Sequence, residues 1–292
     1  MTTKPTNKIY ILANSCARTL DMQGLESACK RLSCHTDIEI IKTTSPSQAS
    51  DQAARLSAIT SNLIAAAGGD GTINTLLNAM APDGVIGIIP GGTANVIARE
   101  LGIPLKINNA VKLLVTGAIK KIDTALCNNH KYLFVAGFGF DAEVAAAVGG
   151  WRKKILGRAA YHLAGLLCFL TYRPPKLKIT CNGKIYHGSY AIIANMRRYG
   201  GELFFAPKAR YDDGILDLVL LKRFSLGTLL RLLNFARGNG KFPDDSAEMI
   251  QSSHFIVEAD RPTPYQLDGE VFPATNHFEV KLAPQPTSMI TP

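Results

Sequence analysis

Apolar residues in the first third of the chain fall in two alternating rhythms. "KIYILAN" (8–14), "DIEIIK" (37–42), "NLIAAA" (62–67) and "GVIGIIP" (84–90) are short, nearly continuous apolar runs, the pattern of strands covered on both faces. After the third run, Ile73, Leu76, Leu77 and Met80 recur at the i, i+3, i+4, i+7 spacing of one helix face. Ser45-Pro46-Ser47-Gln48 reads as a helix start, with Ser45 as cap, Pro46 in the first turn and Gln48 closing a capping box. A second short helix follows "GGTAN" through Leu101. Strand–loop–helix units in series predict a parallel sheet flanked by helices.

From about Cys127 the period shortens. "KLKITCNGKIYHGSYAII" (176–193) alternates polar and apolar positions about Asn182-Gly183, a strong hairpin signal. "GILDLVLL", "HFIVEA" and "HFEVKL" continue the extended pattern. The second part is therefore expected to be mainly antiparallel sheet. One helix is expected over roughly 156–172, ending before Pro174-Pro175 because the residue before a proline disfavours helix. Another is expected near 226–236. The domains are drawn at 1–126 and 127–282, with the tail 283–292 packing back on the first.

Composition adds bounds. The chain has 292 residues, 47% hydrophobic and 19% charged, which fits two folded cores and excludes a disordered or low-complexity chain. The apolar run near the start is a strand, too short for a signal peptide, and "AAYHLAGLLCFLTY" falls short of a membrane span. Six cysteines with no CxxC or zinc spacing read as reduced thiols, so the expected compartment is the cytoplasm. The net charge is +9, and the 58 residues between Glu143 and Glu202 hold ten bases and no acid. Such a segment points to a polyanionic partner. Aromatic-basic RNA signatures are absent, so nucleic acid is set aside and an anionic membrane surface is favoured, with peripheral association. The segment from Trp151 to Tyr172, an apolar helix pattern behind three bases, either seats on a bilayer or packs into its own core, where it would line an acyl-chain pocket. A homodimer stays open.

Two glycine-rich loops sit at carboxyl ends of neighbouring expected strands, "GGDGTIN" (68–74) and "PGGTAN" (90–95), where open α/β sheets bind ligands. Backbone N–H groups at a helix start suit phosphate, and Asp70 beside phosphate suggests a bridging Mg²⁺; a tight turn with an Asp cap accounts equally well for "GGDG" alone. No Walker A sequence occurs. The two loops together, followed by "KIDTALCNNHKYLFVAGFGFDAEV", "FFAPKARYDDGILDLVLL" and "YQLDGEVF", resemble in order the catalytic region of the diacylglycerol kinase family, which includes sphingosine kinases and bacterial lipid kinases. NAD kinases and phosphofructokinases share only the first loop.

The resemblance implies an NAD kinase-like α/β domain followed by a β-sandwich, with ATP and Mg²⁺ as cofactors and a lipid hydroxyl as acceptor. It places Gly68, Gly69, Asp70, Gly71, Thr72, Ile73 and Asn74, with Gly92, Thr93 and Asn95, on the ATP phosphates. Thr43 matches a nucleotide-contacting threonine, with Thr44 as the alternative. Asp268 matches the general base, and Glu270, Asp70 and Asp123 share its acidic cluster. Asp213, with the carbonyls of Arg210 and Ile215, matches a metal site that links the domains. On local sequence alone, Asp268-Gly269 and Asp212-Asp213-Gly214 read as turns, and Asp123 as a strand-end cap. Three positions depart from the family pattern: "ANSCART" keeps Asn14 but lacks the usual proline and glycine, Thr75 stands for a common acid, and so does Val96. The rival readings are an NAD kinase-like enzyme with a soluble acceptor and a non-catalytic lipid-binding relative.

Overall fold

The computed structural model describes residues 8–17, 19–33, 36–59, 63–148, 169, 172–200 and 202–292. Two compact units divide the chain, Met1–Thr124 with Pro284–Pro292, and Ala125–Ala283.

The first unit runs through β1 (Lys8–Asn14), α1 (Met22–Leu32), β2 (Asp37–Thr43), α2 (Pro46–Ile59), β3 (Leu63–Gly68), α3 (Asp70–Ala79), β4 (Val85–Pro90), α4 (Val96–Glu100), α5 (Ile107–Thr116) and β5 (Ala118–Ile122). The second contains β6 (Ala125–Cys127), β7 (His130–Tyr132), β8 (Val135–Phe138), α6 (Phe140–Val148), β9 (Leu177–Cys181), β10 (Lys184–Gly188), β11 (Tyr190–Ala194), β12 (Leu216–Leu221), α7 (Leu226–Ala236), β13 (Ala247–Ser252), β14 (His254–Leu267) and β15 (Glu270–Leu282). The chain then returns to the first unit as β16 (Thr287–Thr291).

The first sheet has the order β2-β1-β3-β4-β16-β5. β1 to β4 pair in parallel, as the apolar runs foretell, and every residue of β3 and β4 is buried. β16 lies parallel to β4 and antiparallel to β5, which makes the sheet mixed. α1 and α5 share one core with β1 and β3 through Leu25, Ala28, Val111, Leu114, Ile11 and Ala65. At the α2 start Ser45 Oγ accepts the Gln48 N–H at 3.2 Å as expected. The returning Gln48 side chain instead takes the N–H of Thr44 at 2.8 Å, one residue before the cap, because the Thr44 hydroxyl binds the same oxygen.

The second unit is an antiparallel sandwich with strand order β13-β12-β11-β8-β14-β15-β6-β7, β9 and β10 branching from β14. β14 serves two neighbours: Ile256–Ala259 pairs with β9 and Tyr265–Leu267 with β8. Its register against β15 shifts near Thr263, the irregularity that lets one strand bend between layers. Phe138, Phe255, Phe278, Leu218, Val257 and Leu267 fill the space between. Asn182 and Gly183 join β9 to β10 with φ of 50° and 70°, the two left-handed positions of a type I′ turn.

α7 coincides with the predicted helix. α1, α5 and α6 add helices that the apolar pattern alone did not assign. The expected helix over 156–172, and Trp151 before it, lie almost wholly outside the described residues. Among the described residues no helix is long and apolar enough to cross a membrane.

Candidate functional site

In the first unit the two glycine loops are packed on each other. The Gly91 N–H donates to the Gly68 carbonyl at 2.7 Å. A Cβ added at Gly92 would stand 2.5 Å from Gly69 Cα, and one at Gly69 would stand 3.2 Å from Gly92 Cα. At Gly68 a Cβ would strike the Thr72 hydroxyl, and at Gly91 it would meet Leu20 at 2.8 Å. None of these glycines has a positive φ. They are required by close backbone approach, loop to loop, rather than by conformation. Gly71 differs: nothing lies within 4 Å of its absent Cβ, and it is exposed at the start of α3. Thr93 is exposed too, and no side chain caps α3. Among the assigned positions Gly71 and Thr93 are the exposed ones, while Gly69, Asp70, Gly92 and Asn95 are half-buried.

Asp70 acts as a cap, one of the two readings its sequence allowed, though on the helix after the second loop. Its two carboxylate oxygens accept the Val96 and Ile97 N–H groups at 3.1 and 3.0 Å, so it caps α4, the helix after the second loop. Asn95 closes that loop, accepting the Gly92 N–H at 2.8 Å and donating to the Gly92 carbonyl at 2.7 Å from a left-handed backbone of φ 48°. Asp70 and Asn95 therefore lock the two loops as one piece. The end of β1 and the loop after it add two ties: Asn14 Nδ2 donates to Thr72 Oγ at 3.3 Å, and Thr19 Oγ donates to the Gly91 carbonyl at 2.6 Å.

Several assigned residues turn inward. Ile73 is 1% exposed and belongs to the core. Asn74 is buried, and its carbonyl oxygens take the Asn78 amide. Thr43 is 1% exposed and donates to the Ala13 carbonyl, so the hydroxyl on the surface at this strand end is that of Thr44. Asp123 is half-buried directly after β5.

In the second unit Asp268 and Gly269 form the two-residue turn between β14 and β15, with φ of 52° and 84° and Leu267 paired to Glu270. The local hairpin reading is therefore right as far as it goes. The Asp268 side chain, however, folds inward and is only 9% exposed. Oδ2 accepts the Leu133 N–H at 2.7 Å, and Oδ1 accepts those of Phe134 and Val135 at 2.9 and 3.0 Å. The Asp268 N–H donates back to the Val135 carbonyl at 2.9 Å. Charge-assisted bonds of this kind are roughly twice as strong as neutral ones, so the carboxylate has one position. Glu270 stands exposed at the first residue of β15.

Behind the turn lies a second acid. Asp141, in the first turn of α6, is buried, and desolvation pushes its carboxyl up to about 6 against the pull of hydrogen bonds from Gln266, Tyr199 and Ala142. Sequence offered no sign of this, since an acid in the first turn of a helix usually faces water.

In the loop from Arg210 to Ile215, Asp213 is exposed and its Oδ1 accepts the Ile215 N–H at 3.1 Å across Gly214 at φ 71°. One carboxylate with the carbonyls of Arg210 and Ile215 is an all-oxygen set that Mg²⁺, which keeps several waters, can accept. Among the described residues no three His, Cys, Asp or Glu side chains gather into a metal-binding group.

An α/β unit with paired glycine loops, followed by a β-sandwich with a locked acid, is the domain pair of a kinase family. Residues 8–127 match the diacylglycerol kinase catalytic domain, and 135–291 match the YegS C-terminal NAD kinase beta sandwich-like domain. The chain belongs to the diacylglycerol kinase and YegS-like lipid kinase family. The Diacylglycerol kinase of Bacillus subtilis is 32% identical over 215 residues, 72% of this chain and 71% of that one. The Probable lipid kinase YegS-like of Pseudomonas aeruginosa (strain UCBPP-PA14) is 34% identical over 214 residues, 71% and 69% of the two chains. In fold, the chain superposes on a diacylglycerol kinase crystal structure from Bacillus anthracis with a TM-score of 0.77 at 23% identity, covering 100% of this chain and 98% of that one. An NAD kinase from Archaeoglobus fulgidus in complex with ATP gives 0.55 at 14% identity, over 97% and 93% of the chains.

Proposed function

We propose that the protein transfers the γ-phosphoryl group of ATP, with Mg²⁺, to the hydroxyl of a lipid, diacylglycerol or a related glycerolipid or long-chain alcohol, at the cytoplasmic face of an anionic membrane. The observation that carries this reading is the Asp268 carboxylate, fixed by three backbone N–H donors within the "LDGE" segment of a lipid kinase family member. Phosphoryl transfer asks a protein for alignment and charge stabilisation more than for covalent help. Asp268 takes the proton of the acceptor hydroxyl as its oxygen bonds to the γ-phosphorus; the bond from that phosphorus to the bridging oxygen breaks, and ADP leaves. Gly71 and Thr93 present the backbone and hydroxyl that meet the phosphates. When bound, Mg²⁺ neutralises phosphate charge, and Asp213 with the Arg210 and Ile215 carbonyls would hold a further ion.

Two features support a bilayer as the place of action. One is the acid-free basic stretch between Glu143 and Glu202. The other is α7, whose Leu226 and Leu230 are 46% and 55% exposed, with Arg223, Leu233 and Arg237 continuing the same three- and four-residue spacing. Apolar side chains with bases at both ends suit an anionic interface.

The test offers labelled ATP and Mg²⁺ with diacylglycerol in phosphatidylglycerol vesicles, and NAD in parallel. Labelled phospholipid is expected; NADP without lipid product would select the rival enzyme, and neither product, with vesicle binding retained, would select the non-catalytic relative.

A further inference from the structure

Asp141 sits where a carboxylate is costly. Its Oδ2 accepts the Gln266 Nε2–H at 2.9 Å and the Tyr199 hydroxyl at 3.1 Å, and its Oδ1 accepts the Ala142 N–H at 3.0 Å. No ion pair to a described base offsets the burial. The other ionisable groups acting around it are the hydroxyls of Tyr172 and Tyr190, Glu143 on its own helix, and Arg261, which acts on Glu143 and Tyr172. The backbone makes room for it: Gly137 of β8 is the cross-strand partner of Gln266, and a Cβ there would overlap Asp141 Oδ2.

The reason for a charge at this place lies one bond further on. Gln266 is buried, and its Oε1 accepts the Gly269 N–H at 2.7 Å, inside the turn that carries Asp268. A glutamine amide can flip, and flipping would set Nε2–H against the Gly269 N–H, two donors face to face. A carboxylate only accepts, so it adds to the Gly269 N–H in excluding the flipped form; a neutral amide at 141 could donate to the flipped oxygen and so lower the cost of the flip.

We infer that Asp141 is a positioning residue, whose carboxylate fixes the Gln266 amide so that Gln266 holds the Asp268-Gly269 turn in its catalytic setting. The structural half stands alone; the catalytic half rests on the reading of Asp268 as general base.

Four proteins decide it: wild type, Asp141→Asn, Gln266→Glu, and the double variant. In the double variant the new amide at 141 donates to the new carboxylate at 266, whose other oxygen still accepts the Gly269 N–H. Amide hydrogen exchange at Gly269, lipid kinase kcat, KM for ATP and thermal midpoint at pH 7.5 are measured. Asp141→Asn is expected to speed Gly269 exchange at least about tenfold and lower kcat at least about tenfold. KM for ATP stays within about twofold and the midpoint is not lowered, because a buried charge has been removed. Gln266→Glu, with two carboxylates facing, shows the same losses, and the double variant recovers slow exchange and most of kcat. Unchanged Gly269 exchange in Asp141→Asn, or a double variant no better than the worse single, overturns the inference. Should Asp141→Asn not fold, Gln266→Glu and the double variant carry the same comparison. Exchange needs no turnover, so a wild type without lipid kinase activity would refute the function while leaving the positioning role decided by exchange.

Discussion

Asp70 and Asp268 both give their carboxylates to backbone N–H groups, yet in opposite settings. Asp70 is half-buried and binds two N–H groups at the start of a neighbouring helix. Its effect is to hold one glycine loop against the other, with the Gly71 backbone and the Thr93 side chain exposed beside it. Asp268 is buried, binds three N–H groups, and has a further acid behind it. Here the side chain itself is the object being held. The first unit builds its candidate site by leaving side chains out, and the second by crowding polar ones together.

The strongest way to break the comparison is Asp268→Asn. The amide keeps the left-handed backbone that Asn tolerates but loses the charge, and kcat is expected to fall about 10³-fold in the vesicle assay. A residual rate within tenfold of wild type would end the base assignment.

Next is the proton linkage of Asp141. Its carboxyl is raised to about 6 from 3.8, so between these values the folded protein binds more protons than the unfolded chain. Stability from this residue therefore declines as pH rises from about 4 to 6, by on the order of 3 kcal/mol at most. In urea unfolding across that range, the stability of Asp141→Asn relative to wild type should rise with pH by up to that amount.

Two glycine changes then sharpen the contrast within the first unit. Gly92→Ala drives a methyl to 2.5 Å from Gly69 Cα and 3.0 Å from Asn95 Oδ1, which should cost about 1–3 kcal/mol in denaturant unfolding. Gly71→Ala meets nothing and replaces glycine in the first turn of α3, so stability should rise by up to about 1 kcal/mol. The same methyl would stand between backbone and phosphate and raise KM for ATP roughly tenfold, about 1.4 kcal/mol. Equal KM values for Gly71→Ala and wild type would remove Gly71 from the nucleotide site.

Much of this was legible from the residue order. Continuous apolar runs predicted β1 to β4, and Asn182-Gly183 predicted its hairpin, because both signals are local. α1 went unassigned although Leu25, Ala28, Cys29 and Leu32 stand at helical spacing behind Asp21, whose side chain accepts the Gly24 N–H. What stayed hidden depends on contacts between distant segments. The sequence does not show that Gly68 and Gly92 also face Thr72 and the opposite loop, where a Cβ would clash. Ile73 and Thr43 look accessible because motif positions do not say which way a side chain turns. Asp141 could not be found from its neighbours, since its burial is made by Gly137, Tyr199 and Gln266 from other elements.

β16 has a consequence for biogenesis. It fills the slot between β4 and β5, although β5 ends at Ile122 and β16 begins at Thr287. A ribosome adding about 5–20 residues per second needs roughly ten to thirty seconds to supply it. During that interval β4 carries an unsatisfied edge on a nascent chain, and chaperone capture of this transient species is expected to be strongest before the final strand emerges.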